Sequence, residues 1–143
     1  MRGVAVLCLS LGACSSSNLS DISDADARAC AELIAALPEE VAGEALSTDS
    51  DRTASWGGVE LTCGAELPAA YDEIASCSVV GDVGWFLPPS ELSDPTSDIV
   101  ATALTHDPRV SVLIPVDARG TDEVQAAIAP AILETLTEGK PCF

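Results

Sequence analysis

Six cysteines, at positions 8, 14, 30, 63, 77 and 142, constrain this chain more than any other feature of it. A disulfide forms only where two Cα atoms come within about 7 Å, so each pairing is a statement about the fold. Cys8 and Cys14 lie in an N-terminal stretch that reads as a targeting segment, which leaves Cys30, Cys63, Cys77 and Cys142 for the folded body. Four cysteines allow three connectivities. The expected pairs are Cys63–Cys77, pinning a strand to a following hairpin, and Cys30–Cys142, tying the first helix to the end of the last. In chain-entropy terms the short loop is worth roughly 3 kcal/mol and the long one nearly 5 kcal/mol. The rival use of four thiols is a zinc site, but no Cys-x-x-Cys spacing is present. No metal or other cofactor is expected.

The N-terminal stretch begins Met1-Arg2 and continues as an apolar run from Gly3 to Ala13. A membrane span needs about 20 residues, so this shorter run reads as the core of a signal peptide over residues 1–13. It ends Leu11-Gly12-Ala13-Cys14, which resembles a bacterial lipobox, where the cysteine becomes a lipidated N-terminus. Cysteine parity agrees. With Cys8 removed and Cys14 acylated, an even number remains for disulfides in an oxidising compartment. Ser15-Ser16-Ser17-Asn18 then begins a flexible tether, giving a lipidated cysteine and tether over 14–27 and one domain over 28–143. The expected location is extracytoplasmic, anchored to the outer face of the cell membrane through the lipid on Cys14.

Charge narrows the partners. The whole chain carries a formal charge of −17, and loss of Arg2 leaves 5 basic against 23 acidic residues, a net of −18. Such a surface repels nucleic acid, whose binding depends on Lys and Arg at phosphates. It also repels anionic lipid headgroups. Solubility is its commonest meaning, and basic partners are the ones it attracts.

The pattern along the domain predicts helix, strands, helix. Ser23-Asp24-Ala25-Asp26 has the spacing of a capping box. After it, Cys30, Leu33, Ile34 and Leu37, with Val41 beyond, recur at helical spacing up to Pro38. Residues 43–53 read as a polar connection. Strands are expected over Ser55 to Cys63, Ser76 to Val80, Val83 to Leu87, Ile99 to Thr105 and Arg109 to Val116, with Gly81-Asp82 as a two-residue hairpin turn. Residues 64–75 read as loop or a short helical turn around Pro68, and residues 90–98 as loop. A last helix follows Gly120-Thr121, with Val124, Ile128, Ile132 and Leu136 on one face, a kink at Pro130 and stop signals at Gly139 and Pro141. The expected fold class is α+β: an antiparallel sheet of four to five strands, an N-terminal and a C-terminal helix packed on one face, and two disulfides.

Chemistry is sparse. His106 is the only histidine, so any catalytic triad would have to use it as base, and no Gly-x-Ser-x-Gly elbow presents a nucleophile. In the turn Thr105-His106-Asp107-Pro108 it reads as an exposed structural residue. The acidic clusters Asp21/Asp24/Asp26 and Asp49/Asp51 lack the glycine and distal glutamate of a calcium loop, and capping and solvation account for them. Gly81-Asp82-Val83-Gly84 has neither the lysine nor the following helix of a phosphate loop. Trp56, Trp85 and Phe86 lie on adjoining predicted strands. Core packing is the plain reading, and an aromatic ligand or partner surface for peptide, glycan or lipid is the functional one.

A set of residues then carries a resemblance. Cys30-x-x-Leu33-x-x-x-Leu37-Pro38, Trp56-Gly57, Leu61-x-Cys63-Gly64 with Pro68, Val80-x-x-Val83-x-Trp85 and Val110-x-Val112-x-Ile114-Pro115 occur in order. Together, over roughly residues 28–136, they resemble an actinobacterial family catalogued only as domain of unknown function 3515. The resemblance implies a secreted or lipid-anchored envelope protein and no mechanism. Family members often carry an arginine pair after the first helix and an arginine just before the cysteine of Leu-x-Cys-Gly. Here Gly43-Glu44-Ala45-Leu46 and Thr62 stand in those places. An arginine usual shortly before the last strand is also out of place, although Arg109 lies nearby. The resulting expectation is a non-enzymatic binding or scaffolding lipoprotein with an envelope protein partner. The alternatives are a binder of small molecules or cell-wall fragments and, behind it, a hydrolase.

Overall fold

The computed structural model describes residues 19–142. The expected signal peptide over 1–13, the expected lipidation site Cys14 and the first part of the expected tether lie outside the described residues.

Helix α1 (Asp24–Ala36) starts where the capping box predicts: the Ser23 Oγ accepts from the Asp26 backbone N–H at 3.1 Å. Asp24 and Asp26 sit in its first turn, at the positive end of the helix dipole. It stops at Leu37 because the residue before a proline is disfavoured in the helical region, and Leu37 is extended at φ −64°, ψ 148°. Strands β1 (Glu40–Val41), β2 (Glu44–Thr48), β3 (Thr53–Trp56) and β4 (Val59–Cys63) follow. A crossover segment over 64–77 leads to β5 (Ser78–Val80) and β6 (Val83–Phe86). Next come the short helix α2 (Pro89–Ser93), β7 (Ile99–Ala103), β8 (His106–Asp107) and β9 (Val110–Ile114). The Asp107–Pro108 peptide is cis. A 3-10 turn over Val116–Ala118, helix α3 (Glu123–Thr135) and β10 (Thr137–Glu138) close the domain.

The domain is α+β, with one eight-stranded antiparallel sheet in the order β1-β2-β3-β4-β9-β7-β6-β5 and a small β10-β8 ribbon. The sheet is therefore two four-stranded meanders. The chain walks inward from one edge to β4, crosses to the opposite edge at β5, and walks back until β9 pairs with β4. Helices α1 and α3 pack together. Cys30, Leu33 and Ile34 of α1 and Val124, Ile128 and Ile132 of α3 share one apolar core with Leu61, Cys63, Val110 and Val112 of the central strands. Pro130 lies on the solvent side of α3. Its missing N–H leaves the carbonyl of exposed Ala126 facing water, where the loss is tolerable.

The strand count exceeds the four to five expected, for physical reasons. The run from Ser55 to Cys63 is two strands, folded over Gly57-Gly58 so that Trp56 pairs with Val59. The polar connection over 43–53 contains β2, whose residues are exposed except for half-buried Leu46. A strand without a buried face shows no period-two apolar signal. The Gly81-Asp82 turn is as expected, with φ of 59° and 63° at its two residues, a left-handed pair that suits a two-residue hairpin.

The disulfides are Cys30–Cys63 and Cys77–Cys142, which corrects the expected pairing. Cys63 ends β4 while Cys77 immediately precedes β5, and three strands lie between those two. At about 4.8 Å per strand the axes are roughly 19 Å apart, far beyond a disulfide's reach. Cys30–Cys142 fails because the sheet stands between them. Cys30 faces the helix core, whereas a Cβ on Gly84 would meet the Cys142 Sγ at 2.7 Å. Gly84 alternates with core residues Val83 and Trp85, so Cys142 lies across the opposite face.

Candidate functional site

Trp56 and Trp85 are 0 % exposed and Phe86 is 1 % exposed. The two indoles belong to the helix-side core, and their Nε1–H groups are spent on backbone carbonyls, Trp56 on Pro38 at 2.9 Å and Trp85 on Val80 at 3.4 Å. Phe86 points to the other face, edge-on to Tyr71 of the crossover with centroids 5.5 Å apart. The three rings are therefore packing residues, and an aromatic surface built from them is corrected. His106 is also buried, at 5 % exposure, rather than exposed in a turn. Its strand pairs with β10, which covers it, and its Nδ1 lies 3.0 Å from the Thr105 hydroxyl.

The few cations serve as clamps. Arg52 donates to the carbonyls of Ser20, Cys63 and Gly64, fastening the N-terminal segment to the end of β4. Arg109 donates through Nε to Ala65 at 3.3 Å. Arg119 donates to the carbonyls of Leu92, Asp94 and Ser97, closing the turn after α2. In that turn Thr96 gives Asp94 Oδ1 two hydrogen bonds, from its hydroxyl at 2.7 Å and its N–H at 2.9 Å. These bonds, with a smaller contribution from the Arg119 charge, hold the Asp94 carboxyl below the usual carboxylate range. A group with a lowered folded pKa adds stability above its unfolded pKa, and that stability is lost as pH falls through the folded value. An NMR titration of the Asp94 carboxyl carbon is expected to give a midpoint below that of a free aspartate. Thr96→Val removes the larger bond and moves the midpoint up.

The acidic clusters have structural partners. Asp24 and Asp26 open α1, and around Asp49 and Asp51 the Ser50 hydroxyl ties the β2–β3 turn by accepting from Arg52 and Thr53 N–H groups. Among the described residues, no group of three or more His, Cys, Asp or Glu side chains could hold a metal ion, and no helix is long and apolar enough to cross a membrane. A cavity of about 540 Å³ is a half-open cleft between the β3–β4 turn and the start of α3, with Glu44, Asp117, Arg119 and Glu123 on its walls. Trp56 lies behind it without presenting accessible surface.

The surface that stands out is the crossover. Of the six large hydrophobic residues exposed among those described, Leu67, Ile74 and Val79 fall in or beside it, and Ile74 is 90 % exposed. The segment is not loosely hung. Cys63 and Cys77 bracket it with the two disulfides, Arg109 holds Ala65, and Tyr71 packs on Phe86. Its tip is a hydrogen-bonded turn in which Ala75 N–H donates to the Asp72 carbonyl and Ile74 N–H to Asp72 Oδ1, both at 3.0 Å. A rigid turn that presents an isoleucine to water has its ordering cost met before any partner arrives. The apolar residues there have no periodicity. Their sole sequence signal is the presence of Leu67 and Ile74 in a stretch that reads as loop.

A family model described as "Protein of unknown function (DUF3515)" matches residues 12–141. No curated protein and no solved structure matches the chain. The chain belongs to that family.

Proposed function

We propose that this member of the DUF3515 family is a lipid-anchored binding or scaffolding module on the outer face of the cytoplasmic membrane, without catalytic activity of its own, and that the crossover segment is where it docks an envelope protein. The observation that carries this reading is the exposure of Leu67 and Ile74 in a segment bracketed by two disulfides, with exposed Val79 just beyond it. A cluster of apolar residues on a surface marks a contact site, and Leu67 and Ile74 share one disulfide-bracketed segment with Val79 two residues beyond it. The two disulfides support an oxidising, extracytoplasmic setting for the domain. The Leu11-Gly12-Ala13-Cys14 motif supplies the anchor, and a diacylglyceryl cysteine brings the two or more chains that stable anchoring needs.

Metabolic labelling with an alkyne fatty acid tests the anchor: the native chain takes up label and fractionates with membranes, and Cys14→Ser loses the label and is released. Label retained by Cys14→Ser would remove the anchor from the reading. A photo-cross-linker at position 74 tests the docking. A discrete adduct that Leu67→Asp abolishes is the expected outcome, and a cross-linker on exposed Leu133 of α3 giving the same adduct would move the docking surface elsewhere.

A further inference from the structure

The edge strand β5 specifies how a partner is held. It lies at the end of the strand order, so among the described residues one side of its backbone has no neighbouring strand. The two-residue turn at Gly81-Asp82 makes Val80 and Val83 the hydrogen-bonded pair and Val79 and Gly84 the non-bonded one. Gly84 confirms the phase: its N–H donates to the Thr105 hydroxyl and its carbonyl accepts from Leu104 N–H, both on the far side of β6 from β5. The N–H and C=O of Val79 therefore point out of the sheet edge, and its side chain is 71 % exposed. Natural edges are usually blunted by lysine, proline or a covering loop. Here the exposed charges nearest β5 along the chain are Asp72, Glu73 and Asp82, all acidic, and the exposed Ile74 follows the first two in sequence. Of the nearby cations, Arg109 is engaged on Ala65, and Lys140 shares a cavity with Leu67, Tyr71 and Cys142, so it offsets one of the three acids.

We infer that β5 takes an extended segment of a second protein as a ninth strand, paired at Val79, and that this segment alternates basic with β-branched apolar side chains. Strand addition uses backbone hydrogen bonds for affinity and alternate side chains for selectivity. The acidic flanks select the basic residues, and Val79 with Ile74 selects the apolar ones. A second copy of this chain is a poor occupant, because each copy carries a formal charge of −17.

This inference rests on the docking role proposed above and is tested separately from it. The chain is full length with Cys14→Ser, isotopically labelled, and titrated with the capped peptide KVKVKVK and, in parallel, with EVEVEVE. The basic peptide is expected to shift the amides of β5 saturably and to slow Val79 amide exchange, while the acidic peptide does neither. A proline is compatible with an outward-facing edge position, so Val79→Pro should fold. It should weaken the basic peptide about tenfold, the equivalent of one lost hydrogen bond, and Val79→Thr should leave affinity within about twofold because threonine keeps both the backbone donor and the β-branched shape. Shifts confined to Leu67 and Ile74, with Val79 exchange unchanged, would overturn strand addition while leaving the docking role intact. Equal binding of the acidic peptide, full affinity in Val79→Pro, or pairing of two copies through this edge would each overturn it outright.

Discussion

Replacing Cys30 and Cys63 together with alanine is expected to lower the unfolding free energy by about 4 kcal/mol, the chain-entropy value for a loop of this length, given a sequence separation of 33. The Cys77–Cys142 bridge spans 65 residues and is worth a similar amount, about 4 kcal/mol. Equilibrium denaturation therefore does not separate the two bridges, but reduction does. Both sulfurs of the first bridge belong to fully buried residues, at 0 % exposure, whereas Cys77 and Cys142 are half-buried. A thiolate must reach the sulfur it attacks. Under native conditions a mild reductant should open Cys77–Cys142 first, with Cys30–Cys63 opening only as the domain unfolds. Alkylation of the partly reduced protein followed by peptide mapping reads the order directly. Equal rates for the two bridges would mean that the helix-side core opens as readily as the C-terminal tail. Opening the second bridge alone frees the β5 end of the crossover, so the singly reduced protein should keep its core and lose the rigid presentation of Ile74.

The sequence carried the parts of this fold that have a periodic buried face. Helix α1 is written in Ser23, Cys30, Leu33 and Ile34, and the central strands in the alternation of Val59, Leu61 and Cys63 or Val110, Val112 and Ile114. It was silent where burial is not periodic. Strand β2 has no buried residue, and β8 and β10 are two residues each, too short for a pattern. The cysteine pairing was illegible for a different reason. Four positions on a line do not reveal that β9 inserts between β4 and β7, and that insertion carries Cys63 and Cys77 apart. The same leap across the sheet makes the crossover a surface feature. Leu67 and Ile74 in sequence are two apolar residues in a loop, and only the topology shows them between two covalent anchors beside a free strand edge.

The tryptophans show the converse, a pattern that sequence made visible and whose use only burial decides. Trp85→Ala is expected to cost about 3–5 kcal/mol, the range for truncating a large buried aromatic, and Trp56→Ala a similar amount, because both indoles are 0 % exposed in the shared core. Trp56→Ala also leaves behind the Pro38 carbonyl that its Nε1–H now satisfies, whereas the Val80 carbonyl that Trp85 reaches keeps its hairpin partner Val83. Trp56→Phe isolates that contribution. It keeps most of the apolar volume and drops the donor at 2.9 Å, so it should cost about 1 kcal/mol for the hydrogen bond, plus the smaller packing loss. Denaturant titration of the three variants, with the slope unchanged, makes the comparison. Native fluorescence should be blue-shifted and resist quenching by iodide. The direction in which the rings face separates packing from ligand binding. If they lined a groove, Trp85→Ala would leave stability nearly unchanged and iodide would quench them. That result would return the ligand-binding reading to Trp56 and Trp85 and take it from the crossover edge.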